Sequence, residues 1–196
     1  MVRFGVDIDG TVTSPSSFLP AINKKFGLKL TLQDITDYNL GRFVGVPVDE
    51  FWNWFTENEA GLYKKAAAAD GAFKSLNGWS KQNEIFFISA RNERFLEVSE
   101  GWLRANGFTY SRVQLVGRTS KVDAIREQNI DIFFEDKYET AIEVHKDCGI
   151  PVILFDTPYN QGYTPNGVIR VSDWKEASEW VNTYLYVGKE LDADVG

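Results

Sequence analysis

The sequence predicts a doubly wound, Rossmann-like α/β domain: a parallel sheet covered on both faces, with a helical cap inserted near the N-terminus. Three observations predict it. Short apolar runs rich in β-branched and aromatic residues recur along the chain, and longer amphipathic stretches separate them. Between the first run and the second lie many more residues than a simple crossover needs.

Val2 to Val6 reads as the first buried strand. The long interval that follows reads as helices, one opened by Pro47 and lined by Phe51, Trp52 and Phe55, and the alanine run Ala66 to Ala69 also reads as helix. Ile85 to Ile88 is the second strand. Glu93 to Asn106 carries Phe95, Val98, Trp102 and Leu103 at helical spacing and stops at Asn106-Gly107, a C-terminal cap. Val113 to Val116, Ile132 to Phe134 and Val152 to Phe155 are further strands, separated by helices over Val122 to Gln128 and Tyr138 to Asp147. A last helix runs from Trp174 to about Tyr184. These bounds place the α/β core at 1–13 and 82–188, the cap at 14–81 and a frayed acidic tail at 189–196.

Composition narrows the function. A chain of 196 residues with 43% apolar content suits one compact domain carrying an insertion. Lys and Arg number 21 against 28 Asp and Glu, a formal charge of -7, which argues against nonspecific binding to a nucleic acid polymer or an acidic membrane. A small phosphorylated ligand needs only a few local cations and stays allowed. A single cysteine, Cys148, rules out an intrachain disulfide, and a single histidine, His145, rules out zinc sites built on several imidazoles. The two share a helical face, but Cys148 lacks the setting of a nucleophile. The N-terminus has no signal-peptide run, and no segment reaches the ~20 apolar residues that span a bilayer, so a cytoplasmic location is expected.

In an open α/β sheet, ligands bind beyond the carboxyl ends of the strands. The first strand ends in Asp7-Ile8-Asp9-Gly10-Thr11, the second in Ser89-Ala90-Arg91 and the fourth in Glu135-Asp136; the third leads to Lys121 at the start of a helix. Acidic clusters from two strands form an oxygen-rich pocket that suits Mg²⁺. A hydroxyl and an ammonium beside it can bind phosphoryl oxygens, and a carboxylate near the metal can attack phosphorus. In the first turn of its helix, Lys121 opposes the helix dipole by ~0.3–1 kcal/mol, a penalty that a bound anion reverses.

Asp7-Ile8-Asp9-Gly10-Thr11-Val12, Ser89 after Ile85-Phe86-Phe87-Ile88, Lys121, and Phe133-Phe134-Glu135-Asp136 resemble, in order, the four motifs of the haloacid dehalogenase superfamily. The resemblance implies that Asp7 is the nucleophile, that Asp9 is the general acid/base, and that Ser89 and Lys121 bind and neutralise the phosphoryl group, with Gly10, Thr11 and Ala90 beside it. It implies Mg²⁺ on Asp7, the Asp9 backbone carbonyl and Asp136, with Glu135 acting through water. Dehalogenases of the superfamily lack the second aspartate, so Asp9 implies a phosphohydrolase or phosphotransferase. The insertion resembles a C1-type cap. With Phe-Phe-Glu-Asp-Lys and Asp156-Thr157-Pro158-Tyr159-Asn160, the chain is similar to bacterial nucleotidases of the cytosolic 5′(3′)-deoxyribonucleotidase-like group. The expected ligand is a small phosphorylated metabolite, with nucleoside monophosphates leading.

Other readings stand beside these. Asp7-x-Asp9-Gly10 could open a calcium loop, but Phe18 stands where an EF-hand needs Glu. Phe18, Phe26, Tyr38, Phe43, Phe51, Trp52, Trp54, Phe55 and Tyr63 could stack a nucleobase, whereas a small cap also needs bulky residues for its own core. Arg42 and Arg91 could contact substrate, but each is expected to be a surface cation. A sugar-phosphate phosphatase and a non-catalytic phosphoryl sensor remain the alternative functions.

Overall fold

The computed structural model describes residues 1–193. Strands β1 (Arg3–Val6), β2 (Glu84–Ser89), β3 (Arg112–Leu115), β4 (Ile132–Glu135), β5 (Val152–Phe155) and β6 (Val168–Val171) form one sheet. Their order is β3-β2-β1-β4-β5-β6, and every neighbouring pair is parallel. Five strands fall where the sequence predicts them. The sixth is an addition: Val168-Ile169-Arg170-Val171 is short, carries a charge mid-run, and becomes a strand through its pairing with β5.

The core shows why these runs form strands. Alternate side chains leave opposite faces of a sheet. Phe134 therefore joins Phe4, Val6, Phe87 and Trp174 on one face, while Phe133 joins Phe86, Ile88 and Leu154 on the other. Helices α1 (Leu19–Phe26), α2 (Val48–Lys65), α3 (Ala72–Trp79), α4 (Leu96–Ala105), α5 (Val122–Glu127), α6 (Tyr138–Cys148) and α7 (Trp174–Ala193) complete the described fold. Helix α7 runs past the expected end near Tyr184 and through most of the segment read as a frayed tail; residues 194–196 lie outside the described residues.

The insertion has its own apolar cluster, built from Leu19, Ile22, Ile35, Val44, Phe51, Phe55 and Leu62. Its two ends are tied together. Thr13 bridges Ala68 in antiparallel fashion, Ser14 N–H donates to Ala67 O at 2.8 Å, and Ala69 N–H donates to Val12 O at 2.9 Å. This corrects the reading of Ala66 to Ala69 as helix: the segment is extended, because pairing with residues 12–14 overrides the helix propensity of alanine. Helix α3 returns to the sheet, with Ala72 and Leu76 in the same cluster as Phe4 and Phe134. The apolar cluster separate from the sheet thus ends before residue 72, short of the expected bound at 81.

Strand order places the site. The chain winds outward from β1 through β2 to β3, then restarts on the other side of β1 at β4. A crevice opens at such a reversal, between the carboxyl ends of β1 and β4.

Candidate active site

Asp7 stands one residue beyond β1, where its N–H still donates to Phe134 O at 3.0 Å. The chain then turns sharply, with Thr13 N–H donating to Ile8 O at 2.9 Å and Gly10 at φ 80°. A Cβ at Gly10 would lie 2.1 Å from Asp136 Oδ2, so only glycine lets this turn and Asp136 share the space. The Gly10 N–H donates to Thr13 Oγ1 at 3.2 Å.

Around Asp7 the structure gathers most of the residues the motifs single out. Lys121 Nζ lies 2.7 Å from Asp7 Oδ1 and donates an aligned hydrogen bond to Glu135 Oε2 at 2.8 Å. Glu135 Oε1 accepts the N–H groups of Asp136 and Lys137 at 3.1 and 3.0 Å. Asp136 Oδ2 accepts the Tyr159 hydroxyl at 2.6 Å. Ser89 is buried at the end of β2, and its Oγ accepts the Arg91 N–H at 3.4 Å. Ala90 is exposed and lines the cleft.

Three buried carboxylates facing one ammonium set the electrostatics. Burial pushes Asp7 up to about 7, and Glu135 and Asp9 add to the rise while Lys121 opposes it. Asp136 is raised by burial, then by Glu135 and Asp7. Burial works against the charge of Lys121, but Asp7 and Glu135 outweigh it and hold the ammonium above its ordinary range.

The donor set fits a hard divalent cation. Asp7, Glu135 and Asp136 each offer an oxygen, all within 4.8 Å of one another. Asp7 Oδ1 and Asp136 Oδ1 are buried without an aligned hydrogen-bond partner among the described residues, as is Thr11 Oγ1. Both Glu135 oxygens, by contrast, already accept hydrogen bonds from Lys121 or the backbone.

Asp9 also lines the cleft, with its carboxylate bound to Arg91. Its two oxygens accept bonds from Arg91 Nε and Nη2 at 2.8 and 2.7 Å. Arg91 is only 3% exposed, which corrects its expected place among surface cations: the fork on Asp9 and a bond to Ser99 compensate its burial. The adjacency to Ser89 was the available signal, since two residues past a strand end still lie on the rim. Arg42 behaves as expected, exposed and paired with Asp37. Tyr159 is the second residue that pattern reading missed as a functional partner. His145 and Cys148 turn to backbone oxygens, those of Ile150 and Val122.

The floor opens into a cleft of about 770 Å³, roofed by Phe18, Ile35, Tyr38, Trp52, Phe55 and Tyr63 of the insertion. Both accounts of the aromatics therefore hold. Phe51 is fully buried among Phe26, Trp54 and Phe55, whereas Trp52 and Tyr38 are 38% and 47% exposed at the cleft.

Sheet order and site together define the class, the haloacid dehalogenase-like α/β hydrolases. Solved structures share the fold. "Haloacid dehalogenase-like family protein SP0104" of Streptococcus pneumoniae superposes with a TM-score of 0.64 at 12% identity, over 92% of this chain and 98% of that one. The "putative HAD-hydrolase YfnB" of Bacillus subtilis, solved bound to magnesium, gives 0.62 at 11% identity, over 92% and 98%. More narrowly, the chain belongs to the family described as "5' nucleotidase, deoxy (Pyrimidine), cytosolic type C protein", whose profile matches residues 1–187, and so to the phosphoric monoester hydrolases. Among its relatives, "Putative nucleotidase BH1399" of Halalkalibacterium halodurans is 44% identical over 183 residues, 93% of this chain and 94% of the relative. "Nucleotidase CA_C3379" of Clostridium acetobutylicum is 29% identical over 171 residues, 87% and 88% of the two chains.

Proposed function

We propose that this protein is a Mg²⁺-dependent phosphatase of small phosphomonoesters that works through an aspartyl phosphate on Asp7, with nucleoside monophosphates as its substrates. One observation carries the reading: at the floor of the cleft, Asp7 lies 2.7 Å from the Lys121 ammonium and within 4.8 Å of an Asp136 oxygen.

Asp7 and Asp136, with the Asp9 backbone carbonyl, are the residues that would hold Mg²⁺. The ion would supply positive charge beside the phosphoryl oxygens. Asp7 attacks phosphorus, and Asp9 gives a proton to the departing ester oxygen. Asp9 then takes a proton from water as that water attacks phosphorus and frees Asp7. Lys121 and Ser89 hold the phosphoryl oxygens, and Glu135 keeps Lys121 aimed at Asp7. Residues 14–68 act as a C1-type cap that roofs the cleft, keeps out water and selects the substrate. Its aromatic lining suits a base, for which stacking is worth ~1–3 kcal/mol. The names of the relatives point the same way, and a cytoplasmic place of work suits such a substrate.

The test is release of inorganic phosphate from a panel of nucleoside monophosphates, sugar phosphates and phosphorylated amino acids, with and without Mg²⁺. Wild type should require Mg²⁺ and favour the nucleotides in kcat/KM, and Asp7→Asn should release nothing. Equal release by both proteins would refute the role of Asp7.

A further inference from the structure

We propose that Arg91 is a positioning residue for catalysis: its fork holds the Asp9 carboxylate in the orientation that meets the leaving oxygen, and Tyr63 of the insertion holds the fork. The assignment rests on the phosphomonoesterase reading and deepens it.

Each of the three guanidinium nitrogens of Arg91 is already engaged within the protein. Nε and Nη2 bind the two Asp9 oxygens at 2.8 and 2.7 Å, and Nη1 donates to the buried Ser99 Oγ at 3.0 Å. The Tyr63 ring closes one face of the guanidinium, with its centroid 3.8 Å from Cζ. Only 1% of the Arg91 side chain is exposed, against 22% for Asp9. Both residues line the cleft, but the Asp9 carboxylate is the more open of the two, so Arg91 acts through Asp9.

Stability alone is a poor reason for this arrangement. An apolar pair of similar volume often serves a buried site as well as an ion pair does. The fork adds orientation, because two parallel hydrogen bonds fix the plane of the carboxylate, which a lysine cannot do. The clamp also spans the two parts of the fold. Tyr63 lies in the last turn of α2, just before the extended segment 66–69 that leads out of the insertion. Its hydroxyl donates to Glu59 Oε1 at 2.9 Å, and Glu59 Oε2 pairs with Arg94 of the core at 3.0 Å. Asp9 is thus held by a stack that begins in the insertion.

A leaving-group series separates this role from a structural one. Asp9 protonates the ester oxygen, so its misplacement matters most when the leaving group is a poor one. The assay is kcat/KM, which reports the first chemical step, for p-nitrophenyl, phenyl and benzyl phosphate with Mg²⁺. Arg91→Lys should lower kcat/KM for benzyl phosphate by roughly 100-fold, the low end of general-acid contributions, and for p-nitrophenyl phosphate by no more than about 3-fold. Tyr63→Leu should move the ratio of the two values the same way by a smaller factor. Such a ratio is independent of the fraction of protein that is folded. An equal loss across the series, or none, overturns the role of Arg91 while wild-type turnover keeps the phosphatase reading. An unmoved ratio in Tyr63→Leu removes the insertion's part in the clamp. No release by wild type from these esters or from the nucleoside monophosphates overturns both readings together.

Discussion

The metal-free protein should lose stability as pH rises, and Mg²⁺ should restore it. Asp7 has an ordinary value of 3.8 and is pushed up to about 7 in the fold, chiefly by burial. Between those values the folded protein holds a proton that the unfolded chain has released. The contribution is fully present below about pH 4 and is lost as pH climbs through about 7. At 1.36 kcal/mol per pH unit, the difference is about 4 kcal/mol, or about 10 °C in Tm for a domain of this size. The proposed Mg²⁺ would bind the deprotonated carboxylates, so its stabilising effect should be larger at pH 8 than at pH 5. Thermal unfolding at the two pH values, with and without Mg²⁺, reads both effects. Asp7→Asn removes one of the two raised carboxyls and should lower the metal-free slope, the remainder coming from Asp136, which separates Asp7 from the general repulsion of an acidic chain. A slope unchanged in Asp7→Asn, or equal Mg²⁺ increments at both pH values, would refute the electrostatic account of the site.

Three further substitutions probe the frame. Gly10→Ala sets a Cβ 2.1 Å from Asp136 Oδ2 at φ 80°, so calorimetry should show Mg²⁺ affinity reduced at least ~10-fold, besides a strain of about 1–2 kcal/mol. Tyr159→Phe removes the 2.6 Å bond to Asp136 Oδ2 and should weaken Mg²⁺ binding by ~10-fold; unchanged affinity would show that this hydroxyl does not tune the metal site. Trp174→Ala empties a fully buried site against Phe134 and Phe155 and frees Thr11 O from its 3.1 Å bond to Nε1; urea unfolding should show a loss of about 3–5 kcal/mol.

Legibility followed physical range. The clustered carboxylates could be read because each sits at the end of a run whose apolar pattern marks a buried strand, and the end of a parallel strand faces the ligand crevice. Five strands were legible for the same local reason. The segment 66–69 was not, because alanine favours helix and the bonds to residues 12–14 that hold it extended come from across the insertion. Arg91 reads as an ordinary cation until Asp9, Ser99 and Tyr63 are seen to surround it.

The amino-acid order by itself determined the alternation of strands and helices, the aspartate pair after the first strand, and the matching groups after the second and fourth. These depend on neighbours a few residues apart, where periodicity and turn chemistry act. Tertiary structure alone decided that β6 completes the sheet, that α3 returns to the core, that Tyr159 reaches Asp136, and that a cation 82 positions from Asp9 would lie buried against it. Burial and charge pairing arise between segments brought together only by the winding of the sheet; a local pattern can put Arg91 on the rim but cannot name its partner.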